Sequence, residues 1–547
     1  MRVRRNFNSC PEELFTPPRW LTIRMMKYRR FIVFPIVFVI ITAIYLFKNR
    51  YMRNTKDFFM DNSYLKVSTE VPLPPLLPGV LDDPSRRLTR KLPVSHAFIV
   101  SAYYYPKSKS LGKNAVALNM VVDARNFEID HSNYYIVGSN ESHAQLSMAS
   151  SQIQGVIPCR YAPTVALANT VGNMTKLEMQ SAGIKVEIPF KMARYKAPKQ
   201  VIICISPQFV AEQWQIFMMQ VHVARRFGAH IHIYLTSIID SYFELMKEYE
   251  KMGYITIDFW LRMKFAQTES PYFEPNINTE LRNQAGAQTD CLLQYKEAAK
   301  YIAFFDLDDI LFPTKHTTYL AEFNAEWKLQ PNASSIYYLR KEHEFVKAQY
   351  LSEFSFYDIV SSLKSSDTLK RGKVVVKPRL HNSTWIHASQ HETPDNRHTV
   401  EHTSIIHVQR PLQKNSENNM TRLWKIDFMS TKQKVEFRPK DLKLLEKDIW
   451  RIRNLTRIQE IAPNLPSADF YLPIVFQCYY DALYLESDVA KTGVKNCPNA
   501  ELCEMPQRED YKCLHSDADY LSGPHMEPFT FHFSNNSFWN NEIGCYQ

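Results

Sequence analysis

From Val201 to Phe305 the chain alternates short apolar runs with amphipathic stretches, and this alternation leaves few architectures open. Val201-Ile202-Ile203-Cys204-Ile205 reads as a strand that ends at Ser206-Pro207. Val210, Trp214, Phe217, Val221 and Ala224 then recur at helical spacing, and Gly228 closes that helix. His230 to Leu235 predicts the next strand, Ser241 to Met252 the next helix, and Tyr254 to Asp258 a third strand. After a loop through Pro271 and Pro275, a helix over Thr279 to Lys300 leads into the strand Tyr301 to Phe305. Strands joined by crossover helices run parallel, so the segment predicts an α/β doubly wound sheet. Ligands of such sheets gather at the carboxyl ends of the strands.

Asp306-Leu307-Asp308-Asp309 stands at one of those ends, directly after five apolar residues. Three carboxylates in four positions repel one another unless a cation or a helix N-terminus compensates. Asp306 and Asp308, two apart in an extended turn, can reach one hard divalent ion such as Mn²⁺ or Mg²⁺. An ion held there could bridge a diphosphate and neutralise its charge as it leaves. Two other readings stay open. The aspartates could cap a helix and supply its acidic first turn. Phe-Asp-Leu-Asp-Asp also resembles the opening of haloacid-dehalogenase-type phosphatases, whose first Asp is a nucleophile. Those enzymes usually carry Thr or Val next, where this chain has Ile310, and place the motif on the first strand rather than the fourth.

The segment before the sheet has a different pattern. His96 to Tyr105, Ala115 to Val122, Asn133 to Val137 and Lys185 to Phe190 are strand-like and aromatic or β-branched, which predicts a small β-rich domain over 96–196. A Pro-rich stretch, Val71 to Pro78, marks 48–95 as a stem. Phe31 to Phe47 is a 17-residue apolar run without charge, and predicts a single N-terminal transmembrane helix acting as a signal-anchor. Of the net charge of +10, residues 1–30 carry +6, so the basicity reads as a topology signal for a cytosolic tail. Nucleic acid is not an expected partner. With 13 glycines and no P-loop or dinucleotide fingerprint, a Gly-rich phosphate cradle is not expected either.

Seven Asn-x-Ser/Thr sequons, at Asn140, Asn173, Asn332, Asn382, Asn419, Asn454 and Asn535, all follow the apolar run and predict a luminal or extracellular body. Eight cysteines follow it too: Cys159, Cys204, Cys291, Cys478, Cys497, Cys503, Cys513 and Cys545. An even set in an oxidising compartment suggests disulfides, whose pairing the sequence does not give. Cys204 and Cys291 lie in apolar or helical contexts that also suit buried thiols. The cluster Cys497, Cys503 and Cys513, which could instead bind a metal, marks 416–547 as a disulfide-braced C-terminal region.

Several patches together resemble glycosyltransferase family 92. They are Cys204-Ile205-Ser206-Pro207, the Trp214 helix, Thr289-Asp290-Cys291-Leu292, Tyr301 to Phe312, and Glu322-Phe323. Gly372 to Pro378, Trp385-Ile386-His387 and His407-Val408-Gln409-Arg410, a divergent form of the family's His-Tyr-Arg, continue the resemblance. It implies a GT-A-like fold over 197–415, a single-pass membrane protein of type II in the Golgi or another secretory membrane, a UDP-sugar donor, and Mn²⁺ or Mg²⁺. Relatives are similar to inverting galactosyltransferases, so the expected reaction moves a hexose, galactose first among them, to a glycan acceptor on glycoprotein or glycolipid. By the same resemblance Asp306 and Asp308 bind metal and diphosphate, with Asp308 at the catalytic centre. Ser206 and Pro207 lie beside the nucleotide. His407 is a late metal ligand, with His387 as the other candidate. Arg282 either meets phosphate or lies on a solvated helix face. The general base that inversion requires is sought among Asp290, Glu392 and Asp395. A non-catalytic luminal glycan-binding protein and the phosphatase stand as alternatives.

Overall fold

Eight strands form the sheet that carries the acidic turn, in the order Ile255–Phe259, Ala229–Leu235, Val201–Gln208, Tyr301–Phe305, Lys364–Val376, Ser335–Val346, Arg397–Leu412, Asp309–Ile310. The computed structural model describes residues 94–124, 134–153, 159–266, 275–387, 396–412, 437–479, 510–523 and 529–543. It also describes residues 497, 499, 501, 503, 505, 506 and 545. The first four strands are parallel, as the alternation predicts. Val201, Ile203 and Ile205 pack with the Trp214–Arg226 and Asp240–Lys251 helices, whereas Ile202 and Cys204 face the Gln284–Tyr295 helix. Burial on both faces is why the strand reads as an unbroken apolar run rather than an alternating one.

The helix expected over Thr279 to Lys300 is shorter, and the reason is local. Leu281, Arg282 and Asn283 have φ of 44°, 54° and 58°, so the regular helix begins only at Gln284. Three successive non-glycine residues in the left-handed region are costly and persist only where neighbours hold them. Here the Trp260 indole donates to the Arg282 carbonyl at 3.0 Å, and the Arg282 guanidinium pairs with Glu501 at 2.8 Å.

Two parts of the expected fold class are corrected. The strands of 96–196 do not close on themselves. Ser95–Ser108 pairs in parallel with Phe529–Ile543, and the same sheet takes in Lys512–Gly523 and Ser237–Ile239. A second sheet, Ala144–Met148, Tyr134–Ser139, Lys176–Ser181 and Ile184–Glu187, packs on it through Tyr134, Ile136, Leu177 and Met179. The β-rich layer is therefore completed by the C-terminal region, because edge strands recruit partners from distant sequence that local pattern cannot name.

The second correction concerns the transmembrane helix. Among the described residues no helix is long and apolar enough to cross a membrane. The expected span 31–47 and the tail 1–30 lie outside the described residues, as does the stem apart from residues 94 and 95. A 17-residue run rises about 26 Å as a helix, short of the roughly 30 Å hydrocarbon core. The fold described is thus mixed α/β, with no membrane-crossing helix in it.

Four disulfides join Cys159 to Cys497, Cys204 to Cys291, Cys478 to Cys503 and Cys513 to Cys545. Cys204 and Cys291 are thus bonded to each other, tying the first strand of the doubly wound sheet to the helix that covers it.

Candidate active site

The acidic turn is built by backbone and closed by its own last side chain. The Asp309 N–H donates to the Asp306 carbonyl at 3.1 Å, and the Asp306 N–H donates to Asp309 Oδ2 at 3.2 Å. Asp309–Ile310 then pairs antiparallel with Arg397–Leu412, setting Asp309 opposite His407. The Val408 N–H donates to the Asp308 carbonyl at 3.0 Å, which fastens the turn to the strand that carries His407.

That pairing brings Asp308, Asp309 and His407 together, with one ligand atom of each within 4.8 Å of the others. His407 Nε2 lies 3.3 Å from Asp308 Oδ2, and its Nδ1 lies 2.5 Å from Glu342 Oε2. Burial works to lower the His407 pKa, but Asp308 and Glu342 raise it to about 10, so without a metal the imidazole is positive. Burial works to raise the Glu342 pKa, and the His407 contact brings it down to about 2. A carboxylate on the far nitrogen is the usual support of a metal-binding histidine, since it keeps Nδ1 protonated and turns Nε2 to the ion. Asp309 is wholly buried and its Oδ1 has no hydrogen-bond partner. Burial and the neighbouring aspartates push its carboxyl up to about 6 against the pull of Lys373 and His407. An orphaned buried carboxylate oxygen beside a second carboxylate and a braced imidazole fits a hard divalent cation.

Asp306 has other partners. Its Oδ2 lies 2.6 Å from the Lys373 ammonium, and Oδ1 accepts from Gln284 Nε2 at 2.7 Å. Burial works to raise its pKa, but Lys373 and a hydrogen bond from Ser206 hold it well below the usual carboxylate range. Ser206 reaches it because Ile205 and Phe305 are register partners, so the residues that follow them adjoin. Pro207 is buried in the next position of the same strand. Lys373 is itself wholly buried and stands 3.8 Å from Asp309. Gln284 is the first residue after the left-handed turn, so the strained segment sets its reach.

The other candidates fall outside this cluster or are already engaged. The His387 Nδ1–H donates to the Gly372 carbonyl at 2.9 Å, and burial, with Lys373, lowers its pKa to about 3. Asp290 accepts from the Tyr103 and Tyr234 hydroxyls at 2.9 and 2.6 Å, so both its oxygens are used. Glu392 and Asp395 lie outside the described residues. Arg282 is buried and ion-paired with Glu501, and its guanidinium lies 4.0 Å from the Phe209 ring centre; it is not on a solvated face.

Four residues of the site were not assigned from the sequence. They are Lys373, Asp309 as a ligand, Glu342, and Arg340, whose guanidinium Nε lies 3.7 Å from Glu342 and whose charge is held by Asp309 and Glu342 against burial. Lys373 lay within the Gly372 to Pro378 patch, so that patch was the signal for it. A cavity of about 300 Å³ lined by Tyr234, Asp258, Trp260, Asp290 and His532 includes no residue of the acidic turn. The carboxylates and the braced imidazole converge at the turn, outside that cavity.

Four parallel strands of a mixed sheet lead, in chain order, to an acidic turn at a carboxyl end, the place where α/β proteins present a site to ligand. The model for Glycosyltransferase family 92 matches residues 199–453. A glycosyltransferase family 92 protein of Caenorhabditis elegans is 57% identical over 470 residues, covering 86% of this chain and 93% of that protein. A second from the same organism is 40% identical over 83% of this chain and 91% of its own length. This chain belongs to glycosyltransferase family 92 and is a glycosyltransferase, which sets the phosphatase reading aside. Among solved structures, the mannosyltransferase PcManGT of Pyrobaculum calidifontis, in complex with GDP-Man and Mn²⁺, is similar over 55% of this chain and 83% of that chain. Its identity is 11% and its TM-score 0.24, a likeness from which no functional inference follows.

Proposed function

We propose that the protein moves a hexose, galactose first among them, from a UDP-sugar to a glycan acceptor on glycoprotein or glycolipid, with inversion and with a divalent metal, Mn²⁺ or Mg²⁺. The observation that carries the reading is the convergence of Asp308, Asp309 and His407, with Glu342 behind the imidazole. Asp308, Asp309 and His407 Nε2 would hold the ion. When bound, it neutralises charge that builds on the departing diphosphate.

The remaining roles belong to side chains. Glu342 keeps the proton on His407 Nδ1 and leaves Nε2 to the ion. Asp306 fixes the Lys373 ammonium at the turn, and Lys373 and Arg340 supply standing positive charge for a diphosphate. Ser206 and Pro207, at the carboxyl end of the first strand, would lie beside the nucleotide. Asp306 thus orients the nucleotide side of the site more than it binds metal.

The protein is proposed to work in the lumen of the Golgi or another secretory compartment. Four disulfides support an oxidising setting, and no sequon asparagine among the described residues is buried. A screen of UDP-sugars against a glycan panel with Mn²⁺ tests the reading. Release of UDP coupled to acceptor mass gain for one hexose is expected; no transfer from any UDP-sugar contradicts it.

A further inference from the structure

A second group of ligand-type side chains lies outside the acidic turn. Glu322 and Glu326 sit one helical turn apart on Tyr319–Leu329, so both point to one side. Opposite them, pairing between Ser335–Val346 and Arg397–Leu412 shifts between Val400 and Ile405, and the chain loops out there. His402 lies in that looped stretch and His398 just before it. His402 Nε2 is 3.0 Å from Glu322 Oε1, and its Nδ1 is 3.8 Å from Glu326 Oε1. His398 Nε2 is 2.8 Å from Glu326 Oε2. One ligand atom each of Glu322, Glu326 and His402 lies within 4.8 Å of the others, a spacing that one divalent cation can bridge.

Ion pairing alone does not account for the group. The Glu322 side chain is 0% exposed and its Oε2 has no hydrogen-bond partner. The Tyr338 hydroxyl, buried and also without a partner, is close enough to feel both carboxylates. Among the described residues neither glutamate pairs with a lysine or an arginine. The buried, unpartnered Glu322 oxygen beside a second carboxylate and an imidazole is the geometry a divalent cation would complete.

We propose that Glu322, Glu326 and His402 form a divalent-metal site separate from the acidic turn, with the nitrogen–oxygen ligand set that suits zinc and with His398 holding Glu326 in place. The site staples the helix after the acidic turn to the irregular part of the strand that carries His407. It raises stability by binding only the folded chain.

The test uses the full-length chain, without a histidine tag and with Asp308→Ala to remove the first site. After equilibration with Zn²⁺ and removal of free metal, metal analysis is expected to find about one zinc per chain, with a raised melting temperature. Adding His398→Ala and His402→Ala, both partly exposed positions, is expected to abolish both effects. Zinc absent from the Asp308→Ala chain, or retained by the triple variant, overturns the proposal. If the triple variant does not fold, Co²⁺ replaces Zn²⁺ in the Asp308→Ala chain. The visible bands of four-coordinate cobalt are then expected, and their absence overturns the proposal.

Discussion

The Lys373 ammonium stands 2.6 Å from Oδ2 of Asp306, with none of the lysine exposed to solvent. This contact separates the two aspartates of the Asp-x-Asp turn. Asp306 is neutralised by the protein, and Asp308, two residues on, faces His407 instead. Removing the cation strands charge, which costs about 3–5 kcal/mol in a buried pair. Lys373→Met is therefore expected to lower the unfolding midpoint in denaturant, and Lys373→Met with Asp306→Asn to recover part of the loss. An unchanged midpoint in the single variant would show that the pair is not formed.

Glu342 acts through His407. Glu342→Gln leaves an acceptor but no charge, and support of this kind is worth roughly 10–100-fold in metal affinity. The Mn²⁺ concentration for half-maximal transfer is expected to rise by that order, and the metal-free chain is expected to melt lower because the variant strands the buried imidazolium. Equal Mn²⁺ dependence in the two proteins would remove Glu342 from the metal's support.

The Cys204–Cys291 bond closes a long loop, 87 residues in sequence, between the first strand and its covering helix. Replacing both cysteines by alanine is expected to cost about 2–4 kcal/mol in denaturant unfolding. An unchanged unfolding midpoint would show the bond to be absent.

Glu280 gives the pH dependence of stability a definite sign. Burial raises its carboxyl to about 7 from 4.5, and its Oε2 has no hydrogen-bond partner. The fold therefore favours the neutral acid. Its contribution is fully present below pH 4.5 and is lost as pH rises through about 7. Glu280→Gln is expected to stabilise the protein at pH 8 by roughly 1–3 kcal/mol and to have little effect at pH 4. Melting curves at the two pH values decide it, and a benefit confined to low pH would reverse the sign.

Much of the site's scaffold was legible because its strands are buried on both faces. Val201 to Ile205 and Tyr301 to Phe305 appear as apolar runs whatever their partners. The acidic turn was legible for the same reason, standing where such a run stops. Lys373 was not, because its place depends on Lys364–Val376 pairing antiparallel with Tyr301–Phe305, a contact between segments some seventy residues apart that no local pattern encodes. The left-handed Leu281 to Asn283 was missed because neither glycine nor proline marks it. It is held by Trp260 and Glu501, from elsewhere in the chain. His407 was found by resemblance, whereas Glu342, its support, lies across a parallel strand pair with no signal of its own.

Transfer is proposed to depend on a divalent ion held by Asp308 with Asp309 and His407. The most direct measurement is UDP-galactose turnover by the full-length chain and by Asp308→Ala, each with Mn²⁺ and with EDTA, alongside melting curves. Asp308 is partly exposed, so the variant is expected to melt like the parent while losing at least about 100-fold in turnover. EDTA is expected to reduce the parent to the same level. Full turnover in EDTA, or by a well-folded Asp308→Ala chain, would contradict the account.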